Sequence, residues 1–230
     1  MTRRPRLDRG PLAARPDFAA SDPRLRGDDG PIEAVVFDVG NVLVRWDRRL
    51  PYLAHFDDSA ELDRFMDEVI PLEWHAEHDA GRSAAELVAE RSVLFPEHAG
   101  LIADWFARFN ESIPGPVPGM PELVETLDAA GAALYAITNF GADTWAGFQP
   151  TFPLFERFRD IVVSGVEKHA KPGRQIFDLA ARRFGHAPGA MLFVDDHEPN
   201  VRAAADYGWQ VHHFTDAAGL EADLRERGLL

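Results

Sequence analysis

The period of the apolar positions changes several times along the chain after residue 30. Ala34-Val35-Val36-Phe37 is an unbroken apolar run stopped by Asp38 and by Gly40-Asn41. Such a run reads as a buried strand, here about 32–37, that meets a turn. Glu61–Val69, Ala84–Leu94 and Ala99–Phe109 instead carry apolar residues three and four apart, which predicts a helical block over 48–112. Ile113-Pro114-Gly115-Pro116-Val117-Pro118-Gly119 closes that block as a stiff linker. Helix and strand then alternate: helix 121–130, strand 132–137, helical turns near 143–157, strand 160–163, helix 173–184, strand 190–194, helix 198–207, strand 210–214 and helix 216–227. Alternation of this kind predicts an α/β fold, a Rossmann-like doubly wound parallel sheet with helices on both faces. The expected division is a core domain of 31–47 and 114–230, with a small helical cap of 48–113 inserted after the first strand.

Composition narrows the class. The 230 residues are 46% hydrophobic, enough for one α/β domain with an insertion. The net charge of −14 argues against nucleic acid and anionic membrane surfaces as partners. No cysteine is present, which excludes disulfides and thiolate metal sites. No apolar stretch approaches the ~20 residues that span a bilayer. A soluble cytoplasmic protein is the expectation. Residues 1–30 hold seven Arg, five Asp and four Pro with few large apolar residues, the composition of a disordered tail.

Chemistry collects at the strand ends. Open α/β sheets place ligands at the carboxyl ends of their strands. The first strand runs into Asp38, the run 133–137 into Thr138-Asn139, the run 161–163 toward Lys168 and Lys171, and the run 191–194 into Asp195-Asp196. Carboxylates, a hydroxyl and an ammonium would thus meet on one sheet edge. Taken singly, each has a plainer reading. Asp38 suits a turn cap, and Asp195, Asp196 and Glu198 suit the positive end of a following helix. Lys171 has compositional support: the chain holds 24 Lys and Arg, of which only Lys168 and Lys171 are lysine. A sequence so biased toward Arg keeps Lys where a compact point charge is needed.

The order of Asp38 with its turn, Thr138-Asn139, Lys171-Pro172 and Asp195-Asp196 resembles the four motifs of the haloacid dehalogenase-like (HAD) superfamily over about residues 32–215. The inserted helical block resembles that superfamily's C1 cap. Phe37-Asp38-Val39-Gly40-Asn41-Val42-Leu43 is similar to the branch of α-glucose-1-phosphate phosphatase. The resemblance implies a Mg²⁺-dependent phosphatase acting on a small phosphorylated metabolite, a sugar phosphate by the branch, through an aspartyl-phosphate. It assigns Asp38 as nucleophile, Lys171, Thr138 and Asn139 to the nucleophile and the phosphoryl oxygens, and Lys168 to the surface. It makes Asp38, Asp196 and the Gly40 carbonyl direct metal ligands, with Asp195 behind them and Asn200 orienting the pair. Paired carboxylates are the hard oxygen donors that Mg²⁺ takes.

Gly40 departs from the superfamily pattern. Many members have a second Asp there, which protonates the leaving group and later activates water. Three readings follow: a phosphatase that works without it, a 2-haloacid dehalogenase, or a catalytically silent binding module. The Asp195-Asp196 pair favours the first, because dehalogenases need no metal. Without an acid at 40, the rate is expected to depend steeply on leaving-group basicity, with Asp47 as a candidate replacement. Substrate contacts are expected from Asn41 and Asn200 and from Trp74, His78 and Asp79 of the polar, aromatic segment Trp74–Gly81.

Overall fold

The computed structural model describes residues 30–230, so the expected tail lies almost wholly outside the described residues. Five parallel strands form the main sheet: β1 (Ala34–Phe37), β4 (Ala133–Thr138), β5 (Asp160–Val163), β6 (Met191–Asp195) and β7 (Gln210–His213). Their spatial order is β5-β4-β1-β6-β7. The chain first builds outward from β1 through β4 to β5. It then crosses back to place β6 and β7 on the other flank. β1 is therefore the topological switch point, and its carboxyl end opens into the crevice where α/β sheets bind ligands.

Two-residue periodicity divides the sheet's side chains between two cores. Val35 and Phe37 join Leu134, Ala136, Leu192 and Val194 on one face. Ala34 and Val36 join Tyr135, Ile137, Met191 and Phe193 on the other. The first face is covered by α5 (Met120–Ala129) and α10 (Ala217–Glu226), the second by α8 (Arg174–Phe184) and α9 (Glu198–Asp206). Burial on both faces explains why these strands read as continuous apolar runs. Val35, Val36 and Phe37 are 0% exposed, and each contributes roughly 1.5–3 kcal/mol relative to exposure. The strand that presents Asp38 is thus anchored on both sides.

Between β1 and α5 lie the helices α1 (Ser59–Arg64), continued as one π-helical stretch over Phe65–Val69, α2 (Leu72–Asp79), α3 (Ala84–Leu94) and α4 (Ala99–Ala107). Ser83 caps α3, its hydroxyl accepting from the Glu86 N–H at 3.2 Å. This helical block shares the first core face: Tyr52, Phe65, Leu87 and Trp105 belong to the same apolar cluster as Phe37. Phe109 meets Phe140 edge-to-face at 5.1 Å where block and sheet edge join.

The linker reading of 113–119 needs a correction. Gly115–Pro116 forms β3, which pairs antiparallel with β2 (Val44–Arg45). The chain entering the helical block is thereby hydrogen-bonded to the chain leaving it. Among the described residues, no helix is long and apolar enough to cross a membrane.

Candidate active site

Asp38 follows β1 directly, and its N–H donates to the Val194 carbonyl at 2.8 Å, which extends the β1–β6 ladder. Its Oδ1 accepts from the Val39 N–H at 2.6 Å and from the Lys171 ammonium at 2.8 Å. Both donors fall on one oxygen, which leaves Oδ2 for bond formation. The Lys171 Nζ also reaches Asp195 Oδ2 at 2.7 Å, with both side chains at most 1% exposed. Asp195 is further held by the His197 N–H at 2.8 Å and by the Asn200 amide at 3.1 and 3.2 Å. One carboxylate oxygen each from Asp38, Asp195 and Asp196 lies within 4.8 Å of the others. Three converging carboxylates against one ammonium form a donor set that fits a hard divalent cation.

These groups perturb one another. Burial, the neighbouring Asp195 and Asp196 push the Asp38 carboxyl up to about 7, against the pull of Lys171. Burial and Asp195 raise Asp196 as well. Burial alone would lower the Lys171 ammonium, but Asp195 and Asp38 outweigh it and hold it above the usual lysine range.

The site opens into a cavity of about 280 Å³. Asp38, Gly40, Asn41, Asn139, Lys171, Asp196 and Asn200 wall its polar end. Val44, Trp46, Phe109, Ile113 and Phe140 wall the rest, together with His75, Asp79 and His197. Asn41 and Asn139 line it chiefly as builders. Asn41, at φ 54°, shapes the turn after Asp38, and its Oδ1 accepts from the Trp46 N–H at 3.0 Å. The Asn139 side chain does not offer its amide to a ligand as expected. Its Nδ2 donates to the Lys171 carbonyl at 2.9 Å and its Oδ1 accepts from the Lys171 N–H at 2.8 Å. That reciprocal pair fixes the backbone carrying the ammonium, beside the cis Lys171–Pro172 peptide. Thr138 is the last residue of β4, 1% exposed and not among the cavity walls.

The expected substrate contacts need correction. Trp74 and His78 do not line the cavity. Trp74 packs on Phe106 at 5.1 Å, and His78 joins Arg82 O at 3.0 Å and Asp143 Oδ1 at 2.8 Å. The reason is helical phase. Residues 74 and 78 share one face of α2, and the neighbouring face, 75 and 79, turns to the site. His78 instead latches α2 to α6 (Ala142–Phe148). A Cβ at Gly141 would stand 1.9 Å from the His78 ring, so that position requires glycine. Asp47 also faces away: it is exposed, and its carboxylate accepts from the Arg49 N–H at 2.9 Å. Lys168 is exposed at the end of the short helix α7 (Ser164–Glu167).

His75, within the segment Trp74–Gly81 and four residues before Asp79 on one helix, is a site residue that the sequence does not single out. The Trp105 indole N–H donates to His75 Nδ1 at 3.1 Å, so the ring carries its proton on Nε2. That nitrogen lies 3.5 Å from Asp79 Oδ2. Burial, His78 and Arg48 push His75 down to about 3, so the ring is neutral. Burial and Asp38 push the Asp79 carboxyl up to about 7, while the Gly141 N–H and Lys171 oppose them. A carboxyl raised in the folded state gives stability that is complete below its unfolded value of 3.8 and is lost as pH rises through about 7. At ~1.4 kcal/mol per pH unit the rise is worth roughly 4 kcal/mol at most. Asp79→Asn is therefore expected to gain melting temperature over wild type progressively between about pH 4 and 7 and to hold that gain above pH 7. A difference that stays constant across that range would show that the carboxyl is solvated.

A family model for the haloacid dehalogenase-like hydrolases matches residues 32–208. The chain belongs to this family. In chain order, Asp38 and Lys171 follow β1 and β5 of this HAD core, and the acidic pair spans the end of β6. Among curated relatives, a sesquiterpene phosphatase of Aspergillus oryzae is 23% identical over 201 residues, 84% of this chain and 95% of the relative. A HAD family enzyme of Bacteroides thetaiotaomicron, solved with magnesium and inorganic phosphate, has a TM-score of 0.63 at 20% identity, covering 80% of this chain and 95% of that one. The L-2-haloacid dehalogenase of Xanthobacter autotrophicus has a TM-score of 0.58 at 16% identity, covering 86% of this chain and 84% of that one. Both likenesses show the fold.

Proposed function

We propose that this HAD-like hydrolase is a Mg²⁺-dependent phosphatase of a small phosphomonoester, with 48–113 acting as its cap. The observation that carries the reading is the triad of Asp38, Asp195 and Asp196 around the buried Lys171 ammonium. A haloacid carries one carboxylate and releases halide, and it has no use for a third acidic group. A phosphate dianion cannot approach such a cluster without a cation, which makes the cluster intelligible. The phosphatase relative and the magnesium–phosphate complex of a similar fold support the same choice.

Asp38 Oδ2 attacks phosphorus and forms an aspartyl-phosphate, which water then hydrolyses. Lys171 holds Asp38 Oδ1, so that the other oxygen points its lone pair at the ester, and its charge attracts the phosphoryl oxygens. Asp38, Asp196 and the Gly40 carbonyl would hold Mg²⁺, with Asp195 and Asn200 behind them. When bound, the ion offsets the negative charge of the meeting carboxylate and phosphate. The non-phosphate part of the substrate lies against Trp46, Phe109, Ile113 and Phe140. A sugar phosphate fits by placing its C–H faces on this apolar wall and its hydroxyls toward Asn41 and His75.

The test is a panel of sugar phosphates, prenyl phosphates and aryl phosphates, run beside 2-chloropropionate. Phosphate release is expected with Mg²⁺, falling to background after chelation and returning when Mg²⁺ is restored. No halide is expected. Metal-independent halide release would establish the dehalogenase reading instead. Preference for prenyl over sugar phosphates would keep the phosphatase and reassign the apolar wall.

A further inference from the structure

Gly40 places no acid two residues after Asp38. Among the described residues, the acids that line the cavity are Asp38, Asp196 and, from α2, Asp79. Asp79 Oδ1 is buried without a hydrogen-bond partner, on a cavity wall that it shares with Asp38. Its other oxygen faces the His75 Nε2–H, and His75 is itself fixed by the Trp105 indole. The Asp79 main chain is pinned as well, its carbonyl accepting from the Ser164 hydroxyl at 2.6 Å, while that hydroxyl accepts from the Phe140 N–H at 2.9 Å. A buried acid on the cavity wall, one oxygen of which has no hydrogen-bond partner, is costly as structure alone.

We propose that Asp79 is the general acid and base of the reaction, supplied from the helical block in place of the missing side chain at Gly40. This rests on the phosphatase reading. As Asp38 Oδ2 forms its bond to phosphorus, the ester P–O bond breaks and its electron pair passes to the ester oxygen. That oxygen takes the proton from the Asp79 carboxyl and leaves as the alcohol. Asp79, now a carboxylate, removes one proton from the water that attacks the aspartyl-phosphate. The phosphorus–Asp38 bond breaks, its electron pair returns to the Asp38 carboxylate, inorganic phosphate departs, and Asp79 is again protonated. The groups facing Asp79 suit both halves. His75 is neutral with its Nε2 3.5 Å from Oδ2, Asp38 favours the protonated form, and Lys171 and the Gly141 N–H favour the carboxylate, with His78 the next titratable group on its own helix. Opposed influences hold the carboxyl near neutrality, where an acid that must also act as a base is most effective.

The expectation drawn from Gly40 alone, a steep dependence on leaving-group basicity, is thereby reversed for the wild type. The experiment measures kcat/KM with Mg²⁺ over aryl phosphates whose phenols span a range of pKa. The wild type is expected to give a shallow slope. Asp79→Asn is expected to lose ~10²–10⁴ with the most basic phenols and far less with nitrophenols, so that its slope is steep. A Cβ at Gly40 meets nothing within 4 Å, so a side chain can leave the backbone there. Gly40→Asp in the Asp79→Asn background is expected to recover at least about tenfold with the basic phenols, part of what a positioned acid contributes. A steep wild-type slope overturns the proposal whatever the variant does. So does a loss in Asp79→Asn that is uniform across the series, or one that appears in Asp47→Asn instead. Wild type that releases no phosphate from any aryl ester overturns the phosphatase reading and this proposal with it.

Discussion

Asp38→Asn is expected to lose turnover by ~10⁵ or more while keeping its fold, the scale on which removal of a covalent nucleophile acts. A carboxamide has neither the charge nor the free lone pair that attack on phosphorus requires. The fold survives because Lys171 keeps a partner. Its ammonium remains 2.7 Å from Asp195 Oδ2, and the asparagine oxygen can replace Asp38 Oδ1 as acceptor. Burial already disfavours a charge at position 38, so replacing it by a neutral isostere relieves as much as it removes. Phosphate release and covalent phosphate incorporation should both disappear, with the melting curve close to wild type. Turnover within tenfold of wild type would remove Asp38 from the chemistry.

Asp38, Lys171 and Asp196 were legible in the sequence because each follows an apolar run. A parallel sheet buries both faces of its strands, so the run marks the strand and its end marks the ligand edge. The expected first strand, 32–37, differs from β1 by two residues, within the usual fraying of element ends. Tertiary partners are what the chain order could not disclose. Leu72–Asp79 is mostly polar, so its period does not say which face turns inward. The answer comes from Trp105, thirty residues away, whose indole N–H selects His75 and so sets Asp79 toward the cavity. Asn139 is similar: a Thr-Asn pair after a strand suggests a ligand donor, and only the partner 32 residues on reveals a clamp on Lys171. Gly115-Pro116 reads as a linker because a two-residue strand has no period of its own, and its pairing with Val44–Arg45 is purely tertiary.

The two lysines make the sharpest contrast available in one chain. Lys171→Ala is expected to lose at least ~10³ in kcat/KM, on the scale of removing a preorganised charged donor. It should also cost about 3–5 kcal/mol of stability, the scale of stranding a buried charge. The reason is geometric. Lys171 Nζ bridges Asp38 at 2.8 Å and Asp195 at 2.7 Å, and the Asp195 side chain is 0% exposed. Without the ammonium, these carboxylates face one another and Asp196 with no cation of the protein's own between them. Lys171→Arg should not rescue activity, because a planar guanidinium cannot replace a point charge held between two oxygens. Lys168 has no such position. It is exposed, and its aliphatic stem packs beside Gly81. Its φ of 58° is no worse for alanine than for lysine. Lys168→Ala is therefore expected to stay within ~0.5 kcal/mol of wild type in stability, as surface changes usually do, with little change in rate. Added Mg²⁺ should restore part of the stability lost in Lys171→Ala, since a cation bound among the same carboxylates offsets the same repulsion, yet it should not restore the rate, because Asp38 Oδ1 has lost the donor that orients its partner oxygen. Full recovery of rate with Mg²⁺ would reduce Lys171 to a counter-ion. Equal losses at 168 and 171 would place the catalytic ammonium elsewhere.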